Sequence, residues 1–211
     1  MFWTSLLTAP VGLTEPLFVP EYWNPPSLLD LAQRTGFDIE SLIFCFGIGG
    51  VGAVLYNILT GRRLQAVDSM ERRHHRHRLH LLALASPMAA FPILWVLPWN
   101  PIYPGIAAML IGAAAAILCR PDLKGKSIVG GVLFLGYYLV FMLMLKWLAP
   151  GYIDGVWNLS ALSGISLYGI PLEELLFGFA FGANWAGVYA HITWRQPVEY
   201  TGAEQCLHAG C

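Results

Sequence analysis

Residues 127–147 read SIVGGVLFLGYYLVFMLMLKW, a run whose only charge is Lys146 and which has no polar face. At 1.5 Å per residue, about 20 such residues cross the hydrocarbon of a bilayer. A helix on a soluble protein keeps one polar side, so this run predicts a span. Four further stretches of comparable length and low charge, 39–60, 79–97, 102–119 and 170–194, bring the number to five. The expected fold is all-α, a polytopic integral membrane helical bundle of about five transmembrane helices within one membrane domain.

Composition agrees with that expectation. Of 211 residues, 56% are hydrophobic and 12% charged, against about 25% charged in soluble chains. The 12 basic and 13 acidic side chains leave a net charge of −1. This excludes a nucleic-acid partner held by bulk positive charge and a chain swollen by its own charge.

Ten of the 12 basic residues fall on one side of the five spans, including the arginines of 62–78, Arg120, Lys124, Lys126 and Arg195; Arg34 and Lys146 fall on the other. By the positive-inside rule the N-terminus is expected outside and residues 196–211 form a cytoplasmic tail, as in a bacterial inner membrane. No basic residue precedes Arg34, so a signal peptide is not expected. Pro10, Pro16, Pro20, Pro25 and Pro26 break up the first 38 residues, which are expected to form an outer interfacial cap.

An internal repeat links the first and fifth spans. At an offset of 133, residues 36–56 match 169–189 at eight of 21 positions, among them Glu40/Glu173, Gly49/Gly182 and Tyr56/Tyr189. A shift by one more residue pairs Trp23-Asn24 with Trp157-Asn158. The repeat halves are expected at about 23–120 and 121–195. Both spans run the same way, as in a parallel duplication about the membrane normal.

Each of the two begins with carboxylates: Asp38 and Glu40 in one, Glu173 and Glu174 in the other. A structural explanation suffices for part of this, because Asp38 suits an N-cap, Pro171 a first helical turn, and acids there complement the helix dipole. Yet ionisable groups where a helix enters hydrocarbon are costly and mark function by default. Desolvation and a like-charged neighbour keep one carboxyl of a pair protonated, as a general acid requires. Glu173, Phe177, Asn184 and His191 share one helical face, with Glu174, Phe181 and Trp185 on an adjoining stripe. The aromatic faces suit a developing cation on a long apolar substrate. Packing against lipid or other helices is the alternative role for them and for Asn184.

The string GIPLEELLFGF from Gly169, with Trp157-Asn158 before it, resembles the Pro-x-Glu-Glu membrane lycopene cyclases, in which two homologous units occur as separate subunits or fused. The resemblance implies an isomerase: redox-neutral, acid-catalysed cyclisation of a linear carotenoid end such as lycopene, without cofactor or metal. It implies that Glu173 and Glu174 are catalytic, with Pro171 positioning them and Trp157, Asn158 and Trp23 lining the substrate. In the first half only Glu40 carries over, since Asp38-Ile39-Glu40-Ser41 stands where the motif would repeat. The expected partners are a hydrophobic isoprenoid, the lipid bilayer, and a second copy or a second cyclase-like subunit. A noncatalytic isoprenoid- or lipid-binding scaffold and a small proton-coupled transporter are the alternatives.

Other motifs are assigned simpler roles. Gly47-Ile48-Gly49-Gly50-Val51-Gly52 formally fits a dinucleotide fingerprint, but it lies within a span and follows no strand. Close helix packing through Gly49 and Ala53, and through Gly112 and Ala116, explains it better. The run 72–80, with four of the six histidines, is expected to meet anionic headgroups rather than a metal. Cys206, His208 and Cys211 make a weak ligand set, and the scattered aspartates argue against Mg²⁺-diphosphate chemistry.

Overall fold

A computed structural model of the chain describes residues 1–199; Cys206, His208, Cys211 and most of the expected tail lie outside the described residues. The elements run α1 (Phe2–Thr8), a 3₁₀ stretch (Ala9–Leu17), α2 (Leu31–Thr35), α3 (Ile39–Thr60), β1 (Arg63–Ala66), α4 (Ser69–Arg72) and a 3₁₀ turn (His75–Leu79). Then follow α5 (His80–Trp95), α6 (Ile102–Cys119), α7 (Lys124–Leu148), α8 (Tyr152–Val156), β2 (Ser166–Leu167), β3 (Ile170–Pro171), α9 (Leu172–Ile192) and β4 (Arg195–Val198).

The protein is an all-α membrane bundle, and α3, α5, α6, α7 and α9 are its five long apolar helices. Two of the expected ranges coincide with α3 and α6, and the other three agree within three residues at each end. Local chemistry sets the ends of α3. Asp38 accepts the Ser41 amide at 2.5 Å, and Gly61 closes the helix at φ 66°, the left-handed conformation that glycine adopts without a Cβ penalty.

Successive helices alternate in direction. Glu40, Glu173 and Glu174 thus share one end of the bundle, here the acidic end, and most arginines the other, the basic end. At the basic end β1 pairs antiparallel with β4, tying the exit of α3 to that of α9.

Helix α9 is central, packed on α7, α6 and α3. Of its most apolar window 56% is buried, against 6% for α5 at the periphery. Lipid tails are as apolar as leucine, so helices in a bilayer associate through close packing at small residues. A Cβ added to Gly130 of α7 would stand 2.5 Å from the Ala186 methyl of α9, and one added to Gly182 would stand 2.8 Å from the Gly130 carbonyl oxygen.

The first 17 residues do not lie across the helix ends as an interfacial cap. They run along α3: Gly12 abuts Ser41 and Leu42, Thr8 abuts Gly49, and Ser5 abuts Gly50. Pro10 and Pro16 are accommodated because the chain narrows to a 3₁₀ path after Thr8, with Pro10 in a first turn whose amide would be unbonded in any case. Residues 18–38 do cover the acidic end.

The repeat has a physical joint. The Asn24 amide donates to the Val156 carbonyl at 2.8 Å and the Asn158 amide to the Tyr22 carbonyl at 2.9 Å, a reciprocal pair across the Trp23–Trp157 bridge. On either side the packing repeats as well. Thr8 sits on Gly49 of α3, and α7 sits on Gly182 of α9, the residue aligned with Gly49.

Gly49→Leu should force the side chain into Thr8, at a cost of about 1–3 kcal/mol for overpacking. A lowered melting temperature in detergent is expected; Gly47→Leu, with nothing within 4 Å of its added Cβ, should leave it unchanged.

Candidate functional site

The first turn of α9 carries the site. Gly169, at φ 77°, turns the chain into the short β2–β3 pair. Pro171, extended at ψ 140°, then becomes the cap residue of α9 rather than its first helical residue. This delivers Glu173 and Glu174 into protein rather than lipid, with side chains 1% and 3% exposed.

Glu174 is held by three donors from three segments. Trp157 Nε1 donates to Oε1 at 2.7 Å, Tyr138 of α7 donates to Oε2 at 2.6 Å, and the Tyr22 hydroxyl also donates to Oε1. Burial first, and then the charge of Glu174, push the Tyr22 phenol well above its ordinary range, so it stays protonated and donates. Hydrogen bonds to a charged acceptor contribute about 1.5–3 kcal/mol each, and a set of three suits an ionised carboxylate.

Glu173 is placed differently. Its Oε1 accepts from Tyr103 of α6 at 2.7 Å and from the Ser163 amide at 2.8 Å, while its buried Oε2 has no hydrogen-bond partner among the described residues. One carboxyl is fully bonded; its neighbour keeps one bare oxygen. These are unequal environments of the kind that separate acid from base in paired carboxyls.

Below them the aromatic residues form a ladder. Ring centroids are 5.6 Å apart for Tyr138–Phe177, 6.1 Å for Phe177–Phe181 and 5.8 Å for Phe181–Trp185. Trp185 Nε1 donates to the Gly49 carbonyl at 3.0 Å, fixing the foot of the ladder to α3. Tyr138 also lines an apolar groove of about 170 Å³ between α3 and α7, with Phe44, Ile48 and Phe141 on its walls. A larger cavity, about 770 Å³, lies at the basic end around Tyr56 and Arg62, remote from the carboxyl pair.

Other expected residues fall at varying distances from this centre. Trp23 rests on Trp157 with centroids 5.6 Å apart, and Asn158 donates from Nδ2 to the Glu21 carbonyl at 3.2 Å; both build the joint beside the site. Asn184 faces Gly112 of α6 and is separate from the ladder. Glu40 is exposed and accepts the Leu28 amide at 2.7 Å, so it secures the covering loop and does not meet the Glu173–Glu174 pair.

Tyr22, Tyr103 and Tyr138 were not singled out from sequence, and neither was Glu15. Glu15 is buried beside Ser41, which aligns with Glu174, and beside Trp23, which aligns with Trp157. A carboxyl from the N-terminal segment thus stands near the place that Ser41 leaves without one. Burial pushes it up to about 7, with Asp38 adding to the rise and donors on Ser41 and Trp23 opposing it. A lone glutamate in the apolar run 9–19 was the available signal.

The family model for lycopene cyclase matches residues 100–192, which span α6 through α9 and include the whole Glu173–Glu174 centre. No curated protein and no solved structure matches the chain.

Removing the Tyr138 hydroxyl (Tyr138→Phe) leaves Glu174 one donor short and should cost about 1–3 kcal/mol, read as a lower melting temperature. Glu15 should give stability a pH dependence. Its folded carboxyl is raised from 4.5 to about 7, so its favourable contribution is complete below 4.5 and lost as pH rises through about 7. Melting curves across that range should show the decline in the wild type and a flatter profile in Glu15→Gln.

Proposed function

We propose that the chain, whose residues 100–192 belong to the lycopene cyclase family, is a membrane enzyme that closes a ring at the end of a linear carotenoid or related isoprenoid by proton transfer alone. The observation that carries the proposal is the unequal pair: Glu174 saturated by Tyr22, Tyr138 and Trp157, and Glu173 with a bare, buried Oε2.

In this scheme Glu173 holds a proton on Oε2 and gives it to the terminal double bond of the substrate. The resulting carbocation is attacked by a second double bond of the same chain, and the new C–C bond closes the ring. A C–H next to the ring cation then loses its proton to the carboxylate left on Glu173. One proton enters and one leaves, no electrons are exchanged, and the product is an isomer.

Glu174 stays ionised and lowers the energy of the nearby cation. The ring faces of Phe177 and Phe181 add to this, each cation–π contact being worth about 0.5–2 kcal/mol. The groove beside Tyr138 admits an apolar chain from between α3 and α7, leaving the rest of a long substrate in lipid. The basic end then faces the cytoplasm, and the carboxyl pair the opposite side.

Expression in a bacterium that accumulates lycopene, with extracted pigments resolved by chromatography, tests this. Ring-bearing products are expected from the wild type. Glu173→Gln should lower their formation by about 10²-fold or more, the scale of a lost general acid, and Glu174→Gln should also lower it. Glu40→Gln should behave as wild type. Unchanged pigment with the wild-type protein present in the membrane would exclude lycopene as substrate, and product made equally well by Glu173→Gln would overturn the assignment of the acid.

A further inference from the structure

The histidine run expected to lie on headgroups is only partly at the surface. His77 is 7% exposed, and the described residues bring it together with His80 and with Cys119 at the end of α6. Cys119 Sγ lies 3.6 Å from His77 Nδ1 and 3.7 Å from His80 Nδ1. From α9, fully buried His191 places Nε2 at 3.1 Å from His80 Nδ1, and its own Nδ1 has no hydrogen-bond partner among the described residues.

The two sulfur–nitrogen spacings are those of a coordination shell, whereas the His80–His191 contact is a hydrogen bond. Zinc–sulfur bonds of about 2.3 Å and zinc–nitrogen bonds of about 2.0–2.1 Å at tetrahedral angles put S and N about 3.6 Å apart and two nitrogens about 3.4 Å apart. The outer contacts fit as well. Glu71 Oε1 stands 3.5 Å from His77 Nε2, without a hydrogen bond between them, on the side where outer carboxylates of metal sites are found. Trp194 stacks on His80 with centroids 4.2 Å apart and fixes the ring plane.

Arg120, the adjacent cation, is engaged elsewhere: its guanidinium donates twice to Asp122, at 2.8 and 2.6 Å, and once to the Arg195 carbonyl. Cys119 as thiolate would offset half the charge of a dication.

We propose that His77, His80 and Cys119 bind a divalent transition metal of the zinc class at the basic end of the bundle, with water in the fourth position. Thiolate with imidazoles selects such ions over magnesium or calcium. The site would fasten the start of α5, the least buried of the long helices, to the end of α6. It lies at the end of the bundle opposite Glu173 and Glu174 and does not depend on the reaction assigned to them.

The test is Co²⁺ titration of the full-length, detergent-solubilised protein followed by absorption spectroscopy. One equivalent per chain should bind with the strong visible bands of tetrahedral cobalt and a thiolate charge-transfer band. Cys119→Ser should remove the charge-transfer band and weaken binding by at least about tenfold, the scale on which even outer contacts of metal sites act. His77→Ala, on a turn rather than within a long helix, should weaken binding similarly and keeps the test open if Cys119→Ser does not fold. A double Cys206→Ser, Cys211→Ser variant should bind as wild type. The proposal is overturned by no stoichiometric uptake, by a charge-transfer band that survives Cys119→Ser, or by one that disappears with the tail cysteines.

Discussion

A carboxyl group inside a bilayer has to have its hydrogen bonds supplied by the protein, and Glu174 sets that requirement for the whole acidic end. Its three donors come from the N-terminal segment, from α7 and from the loop before α9. All three must arrive together, because a buried polar group left without its hydrogen bonds costs about 1–3 kcal/mol. The loops at this end are therefore fixed by what the carboxylate needs. Tyr22 can reach it only if residues 18–38 fold over the bundle, and Trp157 only if the backbone pairs with Tyr22 and Asn24.

The helices at the site reflect a second limit, the absence of a hydrophobic drive between helices in lipid. Gly130, Gly182 and Ala186 bring α7 and α9 into backbone contact, and this closeness is what lets Tyr138 meet Glu174. A bulkier interface would hold the phenol away. Packing through small residues and the charge chemistry thus depend on each other.

The spans were legible because a long apolar run has one outcome in a bilayer. The Glu173–Glu174 pair was legible because charge is rare in such a run. What surrounds the pair was not: Tyr22, Tyr103 and Tyr138 are common residues in a membrane chain, and their partners lie 152, 70 and 36 positions away. Glu40 shows the opposite failure. It aligns with Glu173, yet its helix begins at an exposed corner, where it accepts the Leu28 amide. The N-terminal segment was misplaced because prolines argue against an α-helix but say nothing against a 3₁₀ strand of chain lying in a glycine groove. The histidines were taken as surface charge because Cys119 and His191, which they meet, are about 40 and 110 residues distant.

The joint between the two repeats is made by main-chain amides and carbonyls, Asn24 to Val156 and Asn158 to Tyr22. Such bonds carry no side-chain information. Substitutions on either half can accumulate without loosening them, so the halves are free to specialise. One half carries a paired carboxyl centre on its own helix, and Glu15 stands near the corresponding position of the other from a different segment.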